Sequence, residues 1–273
     1  MTPVPIFRGR VIGLVGAMGL MLTPFAWMLA TSGMQELEVF QNPPALWPSV
    51  WQWRNYRGAL TAQPFDHYFL NSTIVASLVV AGQLVTSATA GYAFARLEFR
   101  GRSTLFMICL STLMVPPVVL LIPRFLLVDR LGWVDSYAGL ASTELVSVWG
   151  VFLMRQAFRQ VPRDLEDAAR IDGAGPWRIF WSVAIPLVRP ALATLALFAF
   201  LDAWKSLLWP LIVTRSLEMR TVEVGIASFH STYQTNWPYQ MASAVVAIAP
   251  VLLVFLFTQR YLIQGLHLTG MKE

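Results

Sequence analysis

Charge is what this chain has least of. Asp, Glu, Lys and Arg make up 13% of its 273 residues, against about 25% in an average soluble domain. Hydrophobic residues reach 56%. A soluble fold of this size cannot hide so much apolar surface, because surface grows with mass and needs polar cover. Lipid is therefore the expected solvent. Cysteine is nearly absent: Cys109 stands alone inside an apolar run, which excludes a disulfide framework and a cysteine-based metal site. His67, His230 and His267 are far apart and show no ligand spacing. Lysine is scarce too. Lys205 follows Trp204 and Lys272 follows Met271, so neither completes the G-x-x-x-x-G-K-[ST] loop that cradles nucleotide phosphates. No nucleophile–base pair, metal cluster or acid pair stands out, so an enzyme is not the expected class. The net charge of +5 does not signal nucleic acid either, since the arginines sit at the ends of apolar runs rather than in one patch.

What is present is a series of apolar runs. A helix needs about 20 mostly apolar residues to cross the hydrocarbon core. Six runs qualify: Val11 to Thr31, Asn71 to Ala95, Ser103 to Leu127, Ser136 to Met154, Pro190 to Val213, and Met241 to Tyr261. The first exceeds the roughly 7–15 apolar residues of a signal peptide and reads as a retained span. The third holds Pro116, Pro117 and Pro123; prolines at that depth predict a broken or kinked helix whose freed carbonyls neighbouring helices cover. The expected fold is all-α and polytopic, with six transmembrane helices in one domain over residues 1–273.

Arginine placement predicts the orientation, because short cytoplasmic loops carry excess Lys and Arg. With the N-terminus inside, thirteen basic residues fall on the cytoplasmic side and six outside, with Lys205 in the membrane. Both termini are then cytoplasmic. Two loops are long. Residues 32–70 form an outer loop rich in Pro and Trp, and residues 155–189 form the inner one.

The inner loop carries the most information. Pro162 suits a first helical turn, where its missing N–H is no loss. Asp164, Glu166 and Asp167 follow, where negative charge suits the helix dipole. Leu165, Ala168, Ala169 and Asp172 share one face by i, i+3, i+4, i+7 spacing. Gly173 stops the helix, and Gly175-Pro176 starts another that is amphipathic through Ile179, Phe180 and Val183. Exposed alanines let a partner approach closely. From these residues alone, an ordinary interfacial amphipathic helix fits as well.

The string Asp167-Ala168-Ala169, with Gly173 four residues on and then Ile185-Pro186, resembles the EAA loop of binding-protein-dependent ABC importer permeases. That motif reads E-A-A-x-x-x-G, then I-x-L-P. Asp167 stands where Glu is usual, and Ile185-Pro186 where Leu-Pro is common. Over the rest of the chain, with a core at about 67–261, the sequence resembles the smaller permease subunit of maltose-type sugar importers. Asn71-Ser72, Gly91-Tyr92-Ala93-Phe94-Ala95-Arg96, FLDAWKSLLWP from Phe200 to Pro210, and Gln259-Arg260-Tyr261 carry that likeness.

The resemblance implies a type I importer permease fold with a cytoplasmic coupling helix inside the loop at 155–189. It implies a second permease subunit and two ATPase subunits that hold ATP and Mg, this chain itself having no cofactor. It also implies an extracytoplasmic solute-binding protein, and residence in a bacterial or archaeal cytoplasmic membrane. The resemblance further implies a sugar or sugar-like solute: a disaccharide, an oligosaccharide, an amino sugar or a glycerol phosphate. The ATPase-coupling residues are then Leu165, Glu166, Asp167, Ala168, Ala169, Asp172, Gly173, Ile185 and Pro186. In the relatives a loop matching Ser228–Gln240 reaches the binding protein, which makes Phe229, Tyr233, Trp237 and Tyr239 its expected contacts; an interfacial loop without a partner is the other reading.

Intramembrane charges usually face a cavity or a partner. Asp202, Lys205 and Glu144 are therefore candidates for the solute path. At i, i+3 spacing Asp202 and Lys205 also suit a local ion pair, and that reading is preferred; for Glu144, a partner on another helix or access to water is preferred. Trp204 and Trp209 could stack on a sugar face, although interfacial tryptophan belts are common. An ion-coupled secondary transporter of a small polar solute is the alternative class; such carriers often show internal repeats and midplane ion ligands, and no convincing repeat is visible here.

Overall fold

The computed structural model describes residues 5–230 and 235–269, with side chains described at 11, 13–230 and 235–261. Described residues are helical, apart from turns, loops and one isolated antiparallel bridge between His230 and Thr235. They form two compact units, the described parts of Met1–Phe65 with Gly225–Ala249 and of Asp66–Val224 with Pro250–Glu273.

Three continuous helices are long and apolar enough to cross a membrane: Gly13–Ser32, Phe65–Arg96 and Trp237–Tyr261. Three bent pairs also qualify. Arg102–Met114 and Pro117–Arg130 meet at 93°, Tyr137–Glu144 and Val148–Gln160 at 47°, and Pro176–Leu187 and Arg189–Trp204 at 78°. Counting each pair as one crossing gives six, matching the six apolar runs.

Each bend has a local cause. At the first, Val115 precedes a proline and is extended, with φ −84° and ψ 118°, as the Pro Cδ clash demands; Pro116-Pro117 supplies no N–H to continue the ladder. At the second, Ser147 caps a new helix by accepting the Gly150 N–H at 3.1 Å, a bond that satisfies one orphan donor. At the third, Arg189-Pro190 opens a helix with proline in its first turn.

The bounds of two runs differ from the sequence reading. The fifth run was expected to continue to Val213, but its helix ends at Trp204, Lys205 forms the C-cap, and a separate short helix covers Leu208–Val213. The second run also extends further than its apolar stretch, from Phe65 to Arg96, with Asp66 in its first turn and Arg96 in its last. Both charges suit the helix dipole.

In the Asp66–Val224 unit, two apolar clusters flank the Phe65–Arg96 helix. One joins Ala88, Tyr92 and Ala95 to Met154, Phe158, Phe180, Ala184 and Leu195. The other joins Val75 and Val79 to Val128, Leu140, Trp209 and Val213. Within the first cluster the backbones come very close: a Cβ at Gly91 would lie 2.6 Å from Met154 Cβ and 2.8 Å from the Arg155 backbone nitrogen. Only a glycine fits there.

The Met1–Phe65 unit has its own pins. Asn55 donates through Nδ2 to the carbonyls of Ser32 and Met34, at 2.9 and 2.8 Å. Glu38 accepts from the Ser49 hydroxyl and the Gln35 N–H, and these bonds hold its carboxyl below the usual carboxylate range. Phe229 stacks on Phe65 and meets Tyr239 edge-on.

Candidate functional site

The inner loop folds much as its residues direct. Pro162 precedes a helix over Arg163–Ile171 with Asp164 and Glu166 in the first turn. Asp172 follows, and Gly173 takes the left-handed conformation at φ 78°, which costs a glycine little. The Gly173 and Ala174 N–H groups then donate to the carbonyls of Arg170 and Ala169, at 3.0 and 2.9 Å, closing the helix end. Pro176–Ile179 continues the chain through a π turn at Phe180–Ala184 into Ile185–Leu187. Ile185 and Pro186 are half-buried beside this turn.

One face of the helix lies open. Leu165, Asp167, Ala168 and Asp172 are exposed and Ala169 is half-buried. Ile171 is 88% exposed, and Trp177 and Trp181 on the following segment are 70% and 56% exposed. The sequence reading missed these three. Their signal was available, since a large apolar residue in a charged loop has no interior to fill.

Glu166, expected among the partner-facing residues, is turned inward instead. It is 2% exposed, and its Oε1 lies 2.9 Å from Nε of Arg96, the last residue of the Phe65–Arg96 helix. This is ion-pair contact without a directed hydrogen bond, because neither atom meets hydrogen-bond geometry. The same guanidinium donates from Nη2 to the carbonyl of Val161. Arg170 lies 3.7 Å from the other Glu166 oxygen and pairs at the surface with Asp167.

A second charged cluster joins two of the bent pairs. Arg124, between the 93° bend and Arg130, pairs with Glu144 and donates to the Thr143 hydroxyl. Its guanidinium lies over the Trp209 ring, 4.8 Å from the centroid. Trp209 donates its indole N–H to the Gly139 carbonyl at 3.1 Å, and Gln83 donates to the Glu144 carbonyl at 2.9 Å. Glu144 thus has the partner on another helix that its sequence position suggested.

The remaining candidates fare differently. Trp204 and Trp209 are buried, at 2% and 4% exposure, with Trp204 against Phe200 and Phe69. Rings so covered present no open face here. Asp202 and Lys205 are exposed, and the expected ion pair between them is not among the contacts of the described residues. Lys205 caps the helix end, its N–H donating to the Leu201 carbonyl at 3.1 Å, so the helical register reaches Lys205 without bringing the pair together. Burial pushes the Glu223 carboxyl up, and the charge of Lys205 opposes that rise. Phe229, Trp237 and Tyr239 are half-buried, while Tyr233 lies outside the described residues. No group of three or more His, Cys, Asp or Glu suited to a metal occurs among the described residues.

Bent apolar crossings around a projecting charged helix define a membrane permease component. The chain belongs to the family of binding-protein-dependent transport system inner membrane components, which it matches over residues 87–267. It is 37% identical over 226 residues to the arabinooligosaccharides transport system permease protein AraQ of Bacillus subtilis (strain 168), covering 82% of this chain and 80% of that one. It is 31% identical over 273 residues to the sn-glycerol-3-phosphate transport system permease protein UgpE of Brucella abortus (strain 2308), covering 97% and 96%. Among solved structures, a chain of a bacterial ABC transporter involved in the import of the acidic polysaccharide alginate superposes with a TM-score of 0.80 at 25% identity, covering 96% of this chain and 100% of that one. A chain from a bacterial alginate ABC transporter in complex with its alginate pentasaccharide-bound periplasmic protein gives 0.68 at 11% identity, over 93% and 92%; it shares the fold. The protein is thus an ABC importer permease, and the ion-coupled carrier reading falls away.

Proposed function

We propose that this chain forms half of the translocation pathway of an ATP-driven importer for a sugar or sugar-like solute, and that Arg163–Ile171 seats on an ATPase subunit. The observation that carries the docking role is the open face of that helix, where Leu165, Ala168 and the 88%-exposed Ile171 project from a loop between two bent crossings. An apolar knob rimmed by Asp167, Arg170 and Asp172 suits insertion into a groove. ATP and Mg then reside on the partner, since neither lysine context supplies a phosphate-binding loop.

A second permease of the same family completes the pathway, and a solute-binding protein delivers cargo from outside. The family description supports delivery by a binding protein. Relatives named for arabinooligosaccharides and sn-glycerol-3-phosphate, with the likeness to an alginate importer, support the solute class. The excess of arginine at the docking-loop side supports cytoplasmic termini and residence in the cytoplasmic membrane of a bacterium or archaeon.

Co-purification tests the docking role. A tagged chain purified from its native membrane should carry an ATPase and a second permease. Ala168→Trp blocks the open face, and Gly173→Arg disturbs a helix end built on a positive φ. Both should insert normally yet lose the ATPase. Undiminished ATPase recovery with both variants refutes the docking role.

A further inference from the structure

We propose that the buried Arg96–Glu166 contact is the joint through which the docking helix moves the Phe65–Arg96 helix, and that this helix acts as a rod carrying the movement to the Glu218–Val222 segment. The inference deepens the docking reading above and rests on it.

The joint is built for fixed geometry. Glu166 is the most deeply buried carboxylate among the described residues, at 2% exposure. A buried charge is costly unless matched, and its match is the terminal residue of a different helix. Arg96 also donates to the Val161 carbonyl, so one guanidinium grips both the approach to the docking helix and its first turn. Tyr92, one helical turn before Arg96, packs its ring between Phe158 and Phe180. A displacement of Arg163–Ile171 therefore pulls on Arg96 through charge, and the segments that flank it, at Phe158 and Phe180, pull on Tyr92 through packing.

The far end of the same helix is clamped as well. Asn71 donates through Nδ2 to the Arg220 carbonyl at 2.9 Å and to the Glu218 carbonyl, and its Oδ1 accepts from the Tyr137 hydroxyl at 2.7 Å. Ser72 accepts the Val222 N–H at 2.9 Å. Both Asn71 and Ser72 are 2% exposed.

Between the clamps the helix runs unbroken and without proline, spanning about 37 Å at 1.5 Å per residue. Bent crossings in the same unit absorb displacement at their breaks. A continuous helix held at both ends transmits it. Arg96 and Glu166 are thus positioning residues, touching neither nucleotide nor solute.

The test uses the assembled importer in lipid nanodiscs, with Cys109→Ser and a nitroxide on Thr73→Cys, an exposed position next to the Ser72 clamp. Spectra are taken without nucleotide and after trapping with ATP and vanadate. In the otherwise unchanged chain, nucleotide should shift the label between two populations by about fivefold or more. Glu166→Gln should abolish that shift while the ATPase still co-purifies in full. The double variant Arg96→Gln/Glu166→Gln leaves no unmatched buried charge, so it supplies the reading if the single variant folds poorly; it too should keep the ATPase and lose the shift.

A shift that persists in both variants overturns the proposal. So does a chain with neither substitution whose label ignores nucleotide. If both variants lose the ATPase together with the shift, Glu166 belongs to the docking contact and the joint is again overturned. Failure of the docking reading is seen separately, as a chain that never carries an ATPase, before any variant is made.

Discussion

Arg96–Glu166 and Arg124–Glu144 are the same chemical pair in two settings of one compact unit. The first has side chains 6% and 3% exposed and joins a helix end to a loop helix. The second has side chains 23% and 41% exposed and joins segments of two bent crossings, with a tryptophan face beneath the arginine. The comparison teaches that surroundings, rather than partners, set what such a pair does. In the dry setting each charge depends chiefly on the other, because water is kept from both side chains. In the wetter setting water competes, and the pair contributes little beyond its packing.

Removing one partner should break the comparison open. Glu166→Ala leaves Arg96 buried and unmatched, and should lower the unfolding free energy by about 3–5 kcal/mol, measured by thermal unfolding of the purified chain. Arg96→Gln/Glu166→Gln should recover most of that loss; equal losses in single and double variants would show that packing rather than charge sets the cost. Arg124→Ala comes next, at about 1 kcal/mol, from a part-exposed pair plus its contact with the Trp209 face. A loss as large as that of Glu166→Ala would erase the distinction. Smallest is Asp167→Asn, which removes a surface i, i+3 pair with Arg170, both side chains more than half exposed. It should cost about 0.5 kcal/mol or less and shrink further in high salt; insensitivity to salt would contradict the exposed setting.

Much of the architecture was legible because it depends on local chemistry. Pro116-Pro117 marks the sharpest bend, and Pro162, Gly173 and Pro176 punctuate the inner loop as they stand in the sequence. The inward turn of Glu166 was harder to see, since its partner lies on a helix far away in the chain. A hint existed, because Glu166 falls outside the i, i+3, i+4, i+7 series that begins at Leu165. The fate of the fifth run was not legible either. FLDAWKSLLWP reads as continuous apolar helix, yet the chain closes its helix at Trp204 and buries both tryptophans. Hydropathy measures how apolar a stretch is and says nothing about where its hydrogen-bond ladder stops.

The near-touching backbones at Gly91 and Met154 restrict how this permease can change shape. Two helices so closely meshed cannot slide or roll past each other without first separating, and any added carbon wedges them apart. A change of shape that leaves that seam intact would be taken up at the 93°, 47° and 78° elbows, where the backbone ladder is already interrupted. The seam is a keel, and the elbows are where the hull flexes.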